Sequence, residues 1–380
     1  MSLPRIILAI FILIAVYGGG NYYVARRLYQ WLGFLFPNIN IKVYICIYVF
    51  FVLSFILAFL QLPFGISRVL HYISSYWIGV LMYLFLLFFA ADIVILLGRA
   101  VQLINASVLT SIRFYSGLAV VLLTIGFVCY GIYNANQIKT VNYEIELKDK
   151  SLNDFKIVMI SDLHLGDINS EKNLEKVVLA INNLNPDIVC ISGDIFNDDF
   201  GTIRNPARAN ALLKSLNTVY GVYACLGNHD GGRTLNQMIA FLEESDIKLL
   251  NDEYVIIDDR LALFGRLDAH PIGGFGELKR QDISQTLIAL SEDFPVVVME
   301  HNPSKINEYG KEVALILSGH THSGQMFPGN LMTDAMFTAA YGHYQKETSS
   351  PHVIVTSGVN TWRPPMRIGT NNEVVNIIIR

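Results

Sequence analysis

Charged side chains are scarce in the first third of this 380-residue sequence. Residues 1–134 contain seven basic residues and a single acidic one, Asp92, whereas residues 135–380 contain the other 21 basic and 31 acidic residues. The two regions therefore carry net charges of +6 and −10, which make up the total of −4. Such different compositions suit different solvents, so we predict two domains, residues 1–134 and residues 135–380.

Cysteine is also rare, with four residues in the chain. Cys46 and Cys129 lie in long apolar stretches, and Cys190 and Cys225 lie in short apolar runs typical of buried strands. This usage is typical of small buried hydrophobic residues and argues against a disulfide framework or a thiolate metal site. A stripe of basic residues is absent too, and the acidic second region would repel nucleic acid, so we expect no nucleic-acid partner.

The first region is instead rich in long apolar runs. Residues 43–64, 77–97 and 117–133 form runs that suit a hydrocarbon core of about 30 Å. A fourth run, residues 6–24, is interpreted as an uncleaved helix because no small-x-small cleavage site ends it, with a secretory signal peptide as the alternative. We therefore predict an N-terminal all-α transmembrane bundle of about four helices, or three, in a multi-pass protein of the cell membrane.

The positions of lysine and arginine favour one orientation for four spans. Five basic residues lie on one side and three on the other: Arg26, Arg27, Lys42, Arg99 and Arg113 against Arg5, Arg68 and Lys139. Because cytoplasmic loops are richer in basic residues, this count places the second domain outside the cytoplasm. Lys148 and Lys150 would remove this difference if they were counted. A count of three spans would change the number of membrane crossings from even to odd.

From about Lys139 onward, the sequence alternates between strand and helix patterns. Short apolar runs such as FKIVMI, PDIVCI and VALIL are typical of buried strands, and EKNLEKVVLAINNL spaces its apolar residues as an amphipathic helix does. The stretch EYVIIDDRLALFG predicts a hairpin. Alternating elements of this kind predict a layered α/β domain.

Polar residues follow five of the predicted strands. The stretches SDLH, SGD, GNHD, EHNP and SGHTHSGQ come directly after apolar runs, and the carboxyl ends of strands in α/β sheets meet in one crevice. Together they supply aspartates, an asparagine and up to five histidines, a nitrogen and oxygen set that suits Mn²⁺, Fe or Zn²⁺. So many ligands exceed the needs of one ion, so we predict two divalent ions sharing a carboxylate, an arrangement used for displacement at phosphorus.

In this order, the five motifs resemble those of the calcineurin-like metallophosphoesterase superfamily. The segment VIVTSGVNTWRPPMRIGTNNEVVNIII is similar to the end of its membrane-associated or exported bacterial branch. The resemblance covers about residues 140–380 and implies an α/β domain built as a two-sheet β-sandwich flanked by helices. It implies one ion held by Asp162, His164, Asp194 and His322. Through a bridging Asp194, it implies a second ion held also by Asn228, His301 and His320.

The resemblance also implies that His229 is a catalytic residue that donates to the leaving-group oxygen. Many relatives carry aspartate three residues after the bridging one, where this chain has Asn197. Either His229 is a weaker acid here, or Asp198 compensates, or the leaving group needs little help. Asn197, His270 and Arg367 are the candidate substrate-binding residues.

These features predict a membrane-anchored, two-metal phosphoesterase that hydrolyses a phosphodiester or pyrophosphate bond. The expected partners are the lipid bilayer and a phosphorylated, lipid-linked or envelope-associated substrate, because the second domain begins a few residues after a predicted span. One alternative is a non-catalytic membrane receptor or transporter with a phosphoesterase-like binding domain. Another is a phosphomonoesterase or nuclease.

Overall fold

The computed structural model describes residues 11, 14–58, 60, 64–147, 152 and 154–380. The chain divides into two compact units, Met1–Gly131 and Ile132–Arg380. This division lies close to the boundary after residue 134 that composition predicts.

The first unit is helical. After a π-helical turn at Ile14–Gly18, its helices are α1 (Gly19–Leu35), α2 (Ile41–Leu57), α3 (Phe64–Ala100) and α4 (Ala106–Ala135), and α4 ends in the second unit. Helix α2 begins where the Asn40 side chain accepts hydrogen bonds from the backbone N–H groups of Lys42 and Val43, as an N-cap residue does. Many large apolar side chains of these helices are exposed, among them Ile47, Val94 and Ile125.

Two helices of the described residues are long and apolar enough to cross a membrane, Gly65–Ala100 and Ala106–Ala135, and Ile41–Leu57 is a shorter apolar helix. The two long helices contain the predicted spans at residues 77–97 and 117–133. The predicted span at residues 43–64 is interrupted after Leu57. The predicted span at residues 6–24 begins outside the described residues, so the count of four spans is not confirmed.

The second unit contains two mixed sheets of six strands each. The strands of the first sheet are β1 (Ile138–Ile145), β2 (Lys156–Ile160), β3 (Ile188–Ser192), β4 (Val222–Cys225), β5 (Ile247–Leu249) and β12 (Asn372–Ile379). Their order is β1–β12–β2–β3–β4–β5. Strands β2 to β5 are parallel, whereas β12 is antiparallel to β2 and parallel to β1.

The second sheet contains the predicted hairpin. Its strands are β6 (Glu253–Ile257), β7 (Leu261–Gly265), β8 (Val296–Met299), β9 (Leu315–Ser318), β10 (Gly342–Tyr344) and β11 (His352–Val355). Their order is β10–β11–β9–β8–β7–β6. The four inner strands are parallel, and the edge strands β6 and β10 are antiparallel to their neighbours.

Alternate residues of the strands face different layers of the unit. In β2, Ile157 and Met159 join a core formed by residues of both sheets, whereas Val158 and Ile160 face the helices outside the first sheet. Those helices are α5 (Glu171–Asn182), α6 (Pro206–Lys214) and α7 (Leu235–Glu244), while α8 (Ser284–Asp293) covers the second sheet. A short helix, α9 (Gly329–Met336), precedes β10. Burial on both faces explains the continuous apolar runs, and the predicted α/β domain with two sheets and flanking helices is confirmed.

Candidate metal centre

The candidate site is formed by the loops that follow β2, β3, β4, β8 and β9. Five of the predicted metal ligands in these loops have φ between 42° and 69°, namely Asp162, His164, Asp194, His320 and His322. This left-handed backbone is uncommon outside glycine and concentrates at functional sites. Hydrogen bonds between the loops hold it: the Asp162 N–H donates to the Gly193 carbonyl at 3.1 Å, and the His164 N–H to the Asp194 carbonyl at 3.0 Å.

Two glycines allow the loops to approach one another closely. A Cβ on Gly319 would lie 2.0 Å from Ser161 Oγ and 2.6 Å from Asp162 Oδ2. A Cβ on Gly227 would lie 2.3 Å from the backbone nitrogen of Asp194. These distances leave no room for any side chain, so glycine is required where the polar loops converge.

Asp162, His164 and His322 form a first group of converging ligand atoms. The Nε2 atoms of His164 and His322 are 3.2 Å apart, and His322 Nε2 is 3.3 Å from Asp162 Oδ1. Among the described residues, no hydrogen-bond donor reaches the buried Oδ1 of Asp162. A buried carboxylate oxygen without a donor is costly, and a cation held between it and the two imidazoles would satisfy it.

Asp194, His301 and His320 form a second group. Asn228 joins them, because its Oδ1 is 2.7 Å from His320 Nδ1 and 3.2 Å from His301 Nε2. The Nδ1–H of His301 donates to the backbone carbonyl of Ser192 at 2.8 Å. Because Nδ1 carries the proton that is donated to this carbonyl, Nε2 keeps its lone pair free for a metal, which is the usual arrangement for a metal-binding histidine.

Asp194 lies between the two groups. Its Oδ2 is 3.2 Å from His301 Nε2 and 3.8 Å from His164 Nε2. Its Oδ1 accepts a hydrogen bond from the backbone N–H of His229 at 2.8 Å. One carboxylate oxygen therefore faces a histidine of each group, as a shared ligand must.

Burial keeps three of the histidines neutral, which is the protonation state that binds metal. It lowers the pKa of His164 to about 3 and that of His320 to about 4. Burial, and then the charge of Arg367, lowers the pKa of His322 well below its usual value. Burial also opposes the charged form of His301, but Asp194 raises the pKa of that ring well above its usual value. Asp194 therefore stabilises positive charge at its side, and the two ligand groups fit two divalent cations.

His229 lies beside the first group, with its ring centroid 5.1 Å from that of His164 and 5.4 Å from that of Trp362. Its Nδ1–H donates to Asp198 Oδ1 at 2.6 Å. Burial alone would lower the pKa of His229, but the hydrogen bond to Asp198 and the charges of Asp194 and Asp198 raise it above its usual value. Of the three explanations for Asn197, the geometry favours compensation by Asp198. The Asn197 side chain lies beside Gly166 instead.

The other two candidate substrate-binding residues, Arg367 and His270, differ in burial. Arg367 is fully buried, and its guanidinium donates to the Asn372 side chain and to the backbone carbonyls of His322, Ser357 and Asn360 at 2.5–2.7 Å. Direct substrate contact by Arg367 therefore does not fit the structure, which makes this residue a support of the His322 loop. His270 is exposed on a loop whose Ile272 N–H donates to the Asn228 carbonyl at 2.8 Å.

Two supporting residues were missed by sequence reasoning, although both lie inside the quoted motifs. Asp230 accepts the backbone N–H groups of Phe196 and Gly227, both at 2.8 Å, and so ties the loops after β3 and β4 together. Burial, reinforced by the charge of Asp194, raises the pKa of Asp230 to about 7. Asn302 Nδ2 lies 3.2 Å from His320 Nε2 and orients that ring. The signal for both was their place in the motifs, with Asp230 directly after His229 and Asn302 directly after His301.

Comparison with known proteins identifies the family. A family model described as calcineurin-like phosphoesterase matches residues 155–324. The chain is 27% identical to an uncharacterised metallophosphoesterase of Campylobacter jejuni, over 96% of both chains. It is 31% identical to an uncharacterised metallophosphoesterase of Aquifex aeolicus, over 60% of this chain and 85% of that one. A Danio rerio protein named transmembrane protein with metallophosphoesterase domain is 29% identical over 66% of this chain and 60% of its own length. The chain therefore belongs to the calcineurin-like phosphoesterase family and is a metal-dependent phosphoester hydrolase.

Proposed function

We propose that this protein is a membrane-anchored hydrolase that cleaves a phosphodiester or pyrophosphate bond in a lipid-linked or envelope-associated substrate. The observation that carries the proposal is the pair of ligand groups that share Asp194, with His229 beside them. Two ions that share a carboxylate suit in-line displacement at phosphorus. The donor set favours Mn²⁺, Fe or Zn²⁺.

The chain's own residues position the reacting groups. When bound, the two ions would supply an activated water and neutralise charge on the phosphoryl oxygens. Asp194 sets the spacing of the ligand groups and also holds the backbone of His229 through Oδ1. Because Nδ1 of His229 is bonded to Asp198, Nε2 is the nitrogen left to donate a proton to the leaving-group oxygen.

The support for a membrane anchor comes from two helices and one relative. Helices α3 and α4 have the length and composition of spans, and the Danio rerio relative is named a transmembrane protein. Helix α4 ends at Ala135 and β1 begins at Ile138, so a bilayer-spanning α4 would keep the catalytic unit close to lipid. This short connection is the reason to propose a lipid-linked substrate, and the count of basic residues supports an extracytoplasmic site.

Hydrolysis is tested with the full chain in phosphatidylcholine nanodiscs and Mn²⁺. We expect turnover of bis(p-nitrophenyl) phosphate or a prenyl diphosphate, and a loss of about 10³-fold in Asp194→Asn because the shared ligand is weakened. Asp293→Asn is the matched control, since it changes an exposed carboxylate at the end of α8. A parent chain that binds two ions but hydrolyses neither compound would contradict the proposal and support a ligand-binding domain.

The substrate class is tested in cells by lipid profiling. A deletion strain and an Asp194→Asn strain should accumulate the same phospholipid or lipid diphosphate. If neither strain does so while the purified protein is active, the lipid-linked substrate is wrong and the hydrolase assignment stands.

A further inference from the structure

Helix α9 turns its apolar side to solvent. None of its eight residues, all within the described part of the chain, is buried. Leu331, Met332 and Met336 are 58%, 66% and 72% exposed. With 3.6 residues per turn, these three and Ala335 share an arc of about 140°, and the remaining arc holds Asn330, Thr333 and Asp334. A helix on the surface of a domain normally turns its apolar side toward the core, so the reversed orientation indicates a partner.

Both ends of α9 are fixed beside the metal ligands. A Cβ on Gly324, two residues after His322, would lie 2.1 Å from the backbone nitrogen of Asn330. The first turn of α9 therefore packs directly on the ligand loop. Just after its last residue, the Phe337 ring packs against His320 with a centroid distance of 6.0 Å. Whatever contacts the exposed side of α9 thus lies next to the metal centre.

The end of helix α4 lies beside the same segment of the unit Ile132–Arg380. The Asn134 side chain donates to the backbone carbonyls of Arg367 at 3.2 Å and Thr370 at 2.8 Å. The Ile368 carbonyl, between those two residues, accepts the Phe327 N–H at 2.8 Å. Phe327 lies two residues before α9, so one short segment connects the end of a candidate span to the start of the exposed helix.

We propose that the apolar side of α9, together with Phe327, docks on the surface of the lipid bilayer. The proposal rests on the proposed function, because it takes α4 as a membrane span. An amphipathic helix lies in the interfacial plane of a bilayer with its apolar side about 5–10 Å deep. The short path from Asn134 to Phe327 places α9 where the chain would leave that bilayer.

Three exposed aromatic residues suit the same partner. Phe327, Tyr341 and Trp362 are 52%, 45% and 43% exposed, and tyrosine and tryptophan are enriched at the level of lipid headgroups. Trp362 is also the residue whose ring packs against His229. Docking through α9 would therefore bring phosphate groups of lipids to the height of the metal centre.

The docking is tested by fluorescence quenching in the full chain. Cys46 and Cys129, which are exposed, are first replaced by serine, and Leu331→Cys, Met336→Cys or Ile288→Cys is labelled with an environment-sensitive dye. Ile288 is the matched control, an apolar residue 48% exposed on α8. In phosphatidylcholine nanodiscs with doxyl-labelled lipid, we expect blue-shifted and quenched emission at residues 331 and 336 and neither effect at residue 288. Equal emission at all three positions would overturn the proposal, as would energy transfer between labelled chains without lipid quenching, which would indicate a second copy as the partner.

A kinetic measurement separates this inference from the proposed function. In the double variant Leu331→Asp/Met332→Asp, we compare turnover of a diacylglycerol p-nitrophenyl phosphodiester in the disc with turnover of soluble bis(p-nitrophenyl) phosphate. The ratio of turnover in the disc to turnover of the soluble compound should fall about tenfold, because each apolar side chain removed from the lipid interface loses its transfer free energy. An unchanged ratio contradicts docking, whereas a parent chain without turnover contradicts the proposed function and leaves the quenching result valid.

Discussion

The direction of the backbone decides which side chain supports His229. Asn197 donates its N–H to the Leu165 carbonyl, which pairs it with the loop after β2. The next residue, Asp198, has a φ of 65°, and its carboxylate reaches His229 Nδ1. Spacing from Asp194 points to Asn197, and only the local turn shows that the neighbouring residue makes the contact.

Asp198→Asn should lower kcat by about 100-fold with both ions retained, because an amide cannot stabilise a protonated ring as a carboxylate does. The loss should be larger for alkyl than for p-nitrophenyl leaving groups, since poor leaving groups depend more on a proton donor. Steady-state kinetics over a leaving-group series measures this, with Asn197→Ala as control. An equal loss for every leaving group would show that Asp198 only maintains the structure.

His320 and His322 should serve different ions, although one residue separates them in sequence. His320 belongs to the group of His301 and His322 to that of His164, so His320→Ala and His322→Ala should each weaken binding at a different position. With Mn²⁺, electron paramagnetic resonance should show a coupled pair in the parent chain and two distinguishable single-ion spectra in the variants. The same spectrum in both variants would argue against two separate positions.

At the scale of elements, the sequence predicts the strands and the ligand loops but not what supports the loops. The runs of β2, β3, β4, β8 and β9 are apolar because both faces of each strand are buried, and that pattern is visible in one dimension. The role of Arg367 is not visible in the sequence, because its hydrogen-bond acceptors include the carbonyl of His322, 45 residues away in the chain. A sequence shows that an arginine is present but not that backbone carbonyls surround it.

Arg367→Lys should lower the free energy of unfolding by about 3 kcal/mol, because lysine cannot satisfy four buried acceptors at once. Burial lowers the pKa of Arg367 to about 10, so the charge is retained at neutral pH and the missing hydrogen bonds are what the change measures. Thermal unfolding of the metal-loaded protein checks the prediction. Arg208→Lys is the control, since Arg208 forms an exposed pair with Glu175 and should change stability by less than about 1 kcal/mol. Equal melting temperatures in the two variants would count against the support role.

At the scale of the whole molecule, composition predicts two regions but not the number of spans. Hydropathy does not show where a helix begins or ends. Helix α2 ends at Leu57, within a predicted span. Helix α3 has 37 residues, which is well beyond the roughly 20 that a bilayer needs. Charge, by contrast, separates the regions clearly, because a membrane excludes charged groups that a globular unit displays at its surface. The proposed side of the membrane rests on a small difference in the number of basic residues.

The proposed extracytoplasmic position of the catalytic unit predicts a labelling pattern in intact spheroplasts. With Cys46 and Cys129 replaced by serine, a membrane-impermeant maleimide should label Glu277→Cys, whose position is exposed in the second unit. Leu103→Cys, 81% exposed between α3 and α4, should be labelled only after permeabilisation. The opposite pattern would place the catalytic unit in the cytoplasm.

The position of β12 has a consequence for biosynthesis. This strand is the last of the described strands in chain order, yet it lies between β1 and β2 and pairs with both. As a ribosome releases the chain, β1 and β2 emerge long before the strand that joins them, and their open edges are exposed to other chains meanwhile. The helices of the first unit are therefore synthesised before the first sheet can be completed. A nascent chain that stalls before residue 372 leaves an unpaired strand edge that chaperones or proteases can recognise.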